Sequence, residues 1–188
     1  MSVEPATEHA TDVLILVDEN DNETGSCEKV ECHLGQGKLH RAFSVFLFDP
    51  EGRVLIQQRS ANKMLWGGYW ANSCCSHPRL GESTEDAAHR RMREELGASS
   101  ELTYLYKFVY HAEFGDIGSE YEHCWVFAGH FDGKTDIDPE EIAATKLVTP
   151  DDLTKELATN GDQYSPWLKL EWERIRKDFL DQILAAAT

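Results

Sequence analysis

The chain contains no apolar run long enough to cross a bilayer as a helix, which takes about 20 residues. Residues 1–11 lack the basic-then-apolar order of a signal peptide, and their acidic residues are wrong for an organelle transit peptide. A cytoplasmic location is expected. Positive charge is scarce: 18 Lys and Arg against 34 Asp and Glu leave a net charge of −16. Such a field repels polyanions, so nucleic acid and anionic membranes are excluded as main partners. A small anion can bind only where local cations or a metal ion reverse the sign. There is no CxxC spacing, and the cysteines at 27, 32, 74, 75 and 124 are odd in number, so no secreted disulfide framework is present. Reduced thiols follow. Internal repeats and low-complexity segments are also missing.

What remains is an ordinary globular composition, with 41% hydrophobic and 28% charged residues among 188. That length fits one domain with a real core, here 12–188, behind a flexible lead at 1–11. A short buried strand over 12–18 runs into the turn-rich 19–25, and then a glycine-broken loop over 29–40 carries His33 and His40. Taken locally, these are solvated loop histidines. Strands over 42–48 and 53–59 flank the hairpin signal Asp49-Pro50-Glu51-Gly52. Arg59 and Lys63 follow, before the aromatic cluster Trp66-Gly-Gly-Tyr-Trp70.

A helix over about 83–96 has Ser83 or Thr84 as cap and Gly97 as stop. Ala88, Met92 and Leu96 form its buried stripe, and Arg90/Glu94 and Arg91/Glu95 are opposite-charge pairs four apart. Strands are expected over 102–111, 120–130 and 142–148, and a short helix over 151–158. Ser165 and Pro166 open a last, long helix whose apolar face is Leu168, Trp172, Ile175, Phe179 and Ile183. Trp167 lies off that stripe, as a surface aromatic or a pocket wall. The order of elements gives an α+β chain.

The chemistry gathers in Trp70-Ala-Asn-Ser-Cys-Cys75-Ser-His77-Pro78. Cysteine can donate a proton or bind a soft metal, and histidine can be a ligand or a base. Inert packing competes with that reading for a free cysteine taken alone. Period two on the strand over 120–130 puts Glu120, Glu122, Cys124 and Val126 on one face. Val126 and Cys124 turn that face inward, so two carboxylates approach the core and need cations. A metal ion is the simplest answer. His33, His40, His77, Glu120 and Glu122 form a donor set suited to an octahedral divalent ion rather than a tetrahedral structural zinc. Lys29, Arg59 and Lys63 are available for an anion.

These motifs together resemble the type I isopentenyl diphosphate isomerases, enzymes of Nudix-like fold. The match rests on Asn72 to Pro78 with Cys75 and His77, the segment from Glu82 to Gly97, Glu120-x-Glu122, His33 and His40, and Ser165-Pro-Trp167. It runs from about Leu14 to beyond Trp167. The helix is also similar to a Nudix box, G-x5-E-x7-R-E-U-x-E-E-x-G-U with U apolar, through Glu82, Arg90, Met92, Glu94, Glu95, Gly97 and Ala98. Ser76 replaces the first Gly, which could have taken positive φ, and Arg91 replaces a Glu. Losing that Glu removes a carboxylate that a diphosphate hydrolase uses on metal and water. The isomerase family modifies the box at the same place.

The resemblance implies an α/β/α sandwich with a mixed sheet, and interconversion of isopentenyl and dimethylallyl diphosphate by a 1,3 proton shift. It implies Cys75 and Glu122 as the catalytic pair, either of which could deliver the first proton, with Tyr110 accompanying Glu122 and Trp167 facing the cation. Cys74 is then packing. Lys29, Arg59, Lys63 and Arg91 would grip the diphosphate, with Mg²⁺ at Glu95 near Cys75. His33, His40, His77, Glu120 and Glu122 would hold a second divalent metal, Mn²⁺, Zn²⁺ or Mg²⁺. The partner implied is a small isoprenoid diphosphate, and a monomer is the simplest oligomeric state. A Nudix-type diphosphate hydrolase is the alternative enzyme, and a non-catalytic metal-binding module the alternative outside enzymes.

Overall fold

β3 (His40–Phe48) is the strand on which the other elements are hung. Seven of its nine residues are buried hydrophobics or small polar groups in the run from Ala42 to Phe48, as expected for a strand covered on both faces. One edge pairs in parallel with β8 (Gly118–His130), from His40 opposite Glu122 to Phe48 opposite His130. The other edge pairs antiparallel with the short β6 (Cys74–Ser76), placing Ser44 opposite Cys75. The computed structural model describes residues 12–186, so the flexible lead expected over 1–11 lies outside them.

The remaining strands complete a mixed sheet network. β1 (Val13–Val17) and β2 (Glu23–Glu28) form a hairpin attached at Leu16 to His40. β4 (Val54–Arg59) returns from the Asp49–Gly52 turn and pairs with β5 (Trp70–Ala71) and β9 (Ile142–Val148). β7 (Leu102–Phe114) pairs antiparallel with β8 along its whole length.

Alternation on β3 divides the core into two layers. Phe43, Val45 and Leu47 pack with Ala87, Ala88, Met92 and Leu96 of α2 (Thr84–Leu96). Phe46 and Phe48 pack with Leu168, Trp172 and Ile175 of α4 (Pro166–Asp178). This is the α/β/α sandwich expected. α2 starts and stops for local reasons: Ser83 Oγ accepts from Asp86 N–H, and Gly97 takes the left-handed conformation, φ 60°.

Several expectations are corrected. The segment after Glu28 is not all loop, since α1 (Lys29–His33) forms there as a single helical turn. Glu23–Gly25, expected as turn, belongs to β2. The short helix is α3 (Pro150–Thr159), as expected within a residue at each end. The long C-terminal helix is broken: α4 stops at Asp178 and α5 (Leu180–Ala185) resumes after Phe179. Phe179 leaves helical geometry with its ring stacked on Tyr106, 5.5 Å between centroids. Ser165 occupies the N-cap position of α4 and Pro166 its first turn, but Ser165 makes no capping hydrogen bond. Ser76, which replaces a box glycine, is an ordinary strand residue paired with Phe43, so no positive φ is demanded there.

Candidate active site and metal centre

The α4 side of the sheet carries the site. His40 and Glu122 stand in register across β3 and β8, and Ser44 stands in register with Cys75 across β3 and β6. Paired residues share a face, so these side chains emerge on one surface. The next turn of chain after β6 brings His77 to the same place, and α1 brings His33.

Gly118 makes the α1 contact possible. A Cβ there would collide with the His33 carbonyl oxygen, so a larger residue would push α1 off the start of β8.

The result is a compact cluster. One donor atom from each of His33, His40, His77, Glu120 and Glu122 lies within 4.8 Å of every other. The ring centroids of the three histidines are 4.7–5.1 Å apart. Outer contacts aim the donors inward. His33 Nδ1 is 2.6 Å from the Lys29 carbonyl oxygen and His40 Nδ1 is 2.7 Å from that of Lys38, which turns both Nε2 atoms toward the cluster. His33 Nε2 is 3.0 Å from Glu120 Oε2, and His77 Nε2 is 2.9 Å from Glu122 Oε1. His40 Nε2 is buried without a hydrogen-bond partner.

Burial, reinforced by His33, holds His40 down to about 3, and burial with His40 and His33 holds His77 well below the usual imidazole range. Both rings are therefore neutral near pH 7, the form that ligates. Burial opposes the charge of Glu120, yet His33, Arg59 and His40 together keep its carboxyl below the usual range. Burial and the Glu120 charge push Glu122 well above it. A donor set with an orphaned buried nitrogen and two crowded carboxylates fits a divalent cation.

Beside the cluster lies an aromatic chamber. Tyr110, Trp66, Trp167, Ala71, Leu65 and Cys124 form one apolar cluster, with Cys75, Tyr69 and Phe114 packed against it. Tyr110 Oη donates to Glu122 Oε2 at 2.6 Å. Trp167 is 3% exposed, so it is a wall and not a surface aromatic. Its Nε1–H donates to Asn72 Oδ1 at 3.1 Å, and its ring meets Trp66 edge to face at 5.4 Å. Burial pushes the Cys75 thiol up to about 12, although Arg59 opposes it. Cys74 points the other way, into the α2 layer.

Arg59 Nη1 is 3.6 Å from Cys75 Sγ, and its guanidinium lies 5.2 Å from the Trp167 ring centre. Arg91 is paired with Glu95, 2.7 Å from Nη2 to Oε1, so the cation and the carboxylate that the resemblance assigned to separate ligands are joined to each other. Burial pulls the Lys29 ammonium down, as does Arg91, and burial pulls Lys63 down to about 7.

Sequence reasoning did not find Glu141. It is 3% exposed, accepts from Lys63 Nζ, and lies 3.1 Å from Arg91 Nη2. Nothing in its local sequence marks it, because it sits in a run of acidic residues before β9. Trp66 and Phe114 were also missed as chamber walls, 4.9 Å apart. Trp66 holds φ 48°, an uncommon conformation for a bulky residue that only the structure reveals.

Comparison with known proteins identifies the family. Residues 38–168 match the NUDIX domain family. The "Isopentenyl-diphosphate Delta-isomerase 1" of Photorhabdus laumondii is 41% identical over 90% of this chain and 98% of its own. The "Isopentenyl-diphosphate Delta-isomerase" of Serratia proteamaculans is 46% identical over 83% of this chain and 87% of its own. Among solved structures, a protein of Deinococcus radiodurans superposes with a TM-score of 0.72 at 24% identity, covering 87% of this chain and 98% of its own. That last likeness concerns the fold. With the box, the five-donor cluster and relatives above 40% identity in agreement, the chain belongs to the isopentenyl-diphosphate Delta-isomerases of the Nudix superfamily.

Proposed function

We infer that this protein interconverts isopentenyl diphosphate and dimethylallyl diphosphate, moving a carbon–carbon double bond by protonation and deprotonation. The observation that carries the reading is the position of Cys75 and Glu122: one face of the sheet, walled by aromatic rings, beside a five-donor cluster. The relatives at 41–46% identity bear the isomerase name, which favours isomerisation over the diphosphate hydrolysis that the box alone would allow. Residues 12–188 act as a single catalytic domain, in the cytoplasm and as a monomer. Among the described residues no helix is long and apolar enough to cross a membrane. The substrate is a small isoprenoid diphosphate, with no nucleic acid involved.

Protonating an unactivated alkene builds a tertiary carbocation, so the reaction needs an acid, a base and the exclusion of water. Cys75 and Glu122 are the proton-bearing pair. One gives a proton to the terminal methylene carbon and the other takes one from the carbon two bonds away; the two exchange tasks in the reverse direction. Tyr110 fixes Glu122 through Oε2, leaving Oε1 toward His77. Trp167 lays its ring against the cation, an interaction worth up to ~2 kcal/mol when desolvated.

Lys29, Arg59, Lys63 and Arg91 bind the diphosphate, together with the Mg²⁺ that accompanies it and is held at Glu95. Binding energy from this unreactive end fixes the alkene between acid and base. His33, His40, His77, Glu120 and Glu122 would hold a divalent ion (Mn²⁺, Zn²⁺ or Mg²⁺), which would supply Lewis acidity beside Glu122. The test is incubation with isopentenyl diphosphate and Mg²⁺ in D₂O. Deuterium in both isomers with the diphosphate conserved is expected, and release of phosphate or a monophosphate without isomerisation would overturn the reading.

A further inference from the structure

Two cysteines outside the site sit directly behind it. Cys27 is the only buried position of β2, at 7% exposure, and Cys32 on α1 is fully buried. With Leu14 they form a small apolar cluster of their own. The Cys32 thiol contacts Cys27 within that cluster. Lys38 closes the arrangement. Its Nζ donates to Cys27 Sγ at 3.3 Å and to Glu31 Oε1 at 2.6 Å, and its backbone N–H donates to the Cys32 carbonyl oxygen at 2.8 Å. The Lys38 side chain is 46% exposed, so what covers the Cys27 sulfur on that side is a solvated ammonium and not packed core. Inert packing accounts for two buried sulfurs. It does not account for an ammonium placed on one of them.

We propose that Cys27 and Cys32 are a peroxide-oxidisable dithiol, which closes to a disulfide and staples the turn carrying Lys29 and His33 onto β2. Cys27 is the attacking sulfur, because it is the less buried of the two and is flanked by Lys38. As a thiolate it attacks one oxygen of hydrogen peroxide: an S–O bond forms, the O–O bond breaks, and the departing hydroxide takes up the proton that Cys27 released, leaving as water. Cys27 is then a sulfenic acid. The Cys32 sulfur attacks the Cys27 sulfur; the S–S bond forms, the S–O bond breaks, and a second water leaves with the Cys32 proton. In sum, two thiols lose two hydrogens and one peroxide becomes two waters. Reduction by a dithiol reverses the staple. A disulfide of this kind in a reducing compartment is redox-responsive rather than structural.

Trypsin cuts after Lys29 and Lys38, which puts the two cysteines on separate peptides, 1–29 and 30–38. The full-length protein is treated with hydrogen peroxide, its free thiols are capped with N-ethylmaleimide, and it is digested without reductant. A linked peptide lighter by two hydrogens than the sum of its parts is expected, lost on treatment with dithiothreitol. Cys32→Ser leaves Cys27 as a sulfenic acid captured by dimedone, and Lys38→Met slows cross-linking about tenfold. Amide exchange across 29–33 slows in the oxidised protein. Two results overturn the proposal: Cys27 and Cys32 both remain capped by N-ethylmaleimide after oxidation, or Cys75 is consumed before them. The peptide map of the unaltered protein decides this even if a variant fails to fold. Cross-linking without slower exchange at 29–33 overturns the staple.

Discussion

Glu141 holds Lys63 and Arg91 at once, accepting from Lys63 Nζ through Oε2 and lying 3.1 Å from Arg91 Nη2 through Oε1. The side chains of Arg91 and Glu141 are 3% and 4% exposed, so the contact is made out of water. Arg91 is also paired with Glu95 at 2.7 Å. Two of the four cations assigned to the diphosphate are thus fixed before any substrate arrives. Fixing them beforehand lowers the ordering cost of binding.

Glu141→Gln keeps the size and removes the charge. A buried charge left wholly without a partner costs about 3–5 kcal/mol, but Arg91 keeps Glu95 at 2.7 Å and only Lys63 loses its carboxylate. The variant is expected to lose about 1–2 kcal/mol of stability by urea unfolding, below that full cost. Its KM for the diphosphate should rise about tenfold, while kcat changes less, because Glu141 touches the binding cations and not the proton-bearing pair. An unchanged KM would show that Lys63 and Arg91 are held in place without it.

Cys75 and Cys74 are neighbours in sequence and opposites in the fold. Cys75 abuts the aromatic chamber, with Arg59 Nη1 3.6 Å from its sulfur, and Cys74 is buried under α2. A positioned acid or base contributes about 10²–10⁴-fold. Cys75→Ala is expected to lower kcat at least a thousandfold with substrate binding kept, whereas Cys74→Ala keeps most turnover and loses about 1 kcal/mol of stability. Dimethylallyl diphosphate formation by the two purified variants measures both. The reverse order would move the catalytic role to Cys74.

The fold was legible wherever a local pattern decided it. α2 could be read because its stripe, Ser83 cap and Gly97 stop all lie within one segment, and β8 because Glu120, Glu122, Cys124 and Val126 alternate. β5 and β6 were not separately legible, since they have two and three residues and exist through pairing with distant β4 and β3. α1 was hidden by Gly35 and Gly37, which signal loop just beyond its end. The break at Phe179 comes from a ring stacking on Tyr106 from another layer, which periodicity cannot register. The five residues of the His/Glu cluster were legible because His and paired Glu are conspicuous residue types. Glu141 was not, because one acidic residue among several gains its role only from the two cations the fold sets against it.

The proposed ligand set at the His/Glu cluster can be tested at His40. His40 is fully buried and its Nε2 has no hydrogen-bond partner, with Glu122 Oε1 3.7 Å away, so His40→Ala removes a donor from the centre of the cluster. Metal content after dialysis, read by mass spectrometry of the elements, is expected to fall at least tenfold. Chelation of the unaltered protein should abolish turnover, with recovery on adding back a divalent ion. Full metal occupancy in His40→Ala would remove His40 from the ligand set.

Glu171 gives the pH dependence. It is fully buried on α4, one turn past Trp167, with Cys124 Sγ 3.5 Å from Oε1 and no partner on Oε2. Burial pushes its carboxyl up to about 8 from an ordinary value of 4.5. Between those values the folded state holds a proton that the unfolded state has lost. Stability therefore falls as pH rises from about 4.5 to about 8, and the loss is complete above the folded value. At about 1.4 kcal/mol per pKa unit the full effect is on the order of a few kcal/mol. Glu171→Gln carries no charge at any pH and should lack this slope. Its advantage over the unaltered protein is expected to be about 1 kcal/mol or less at pH 5 and a few kcal/mol at pH 8.5, read from urea unfolding at both. Other titrating groups are common to the two proteins and cancel in the difference. Parallel stability curves would mean that Glu171 ionises in the fold as it does in water, and that the space beside Trp167 is wet.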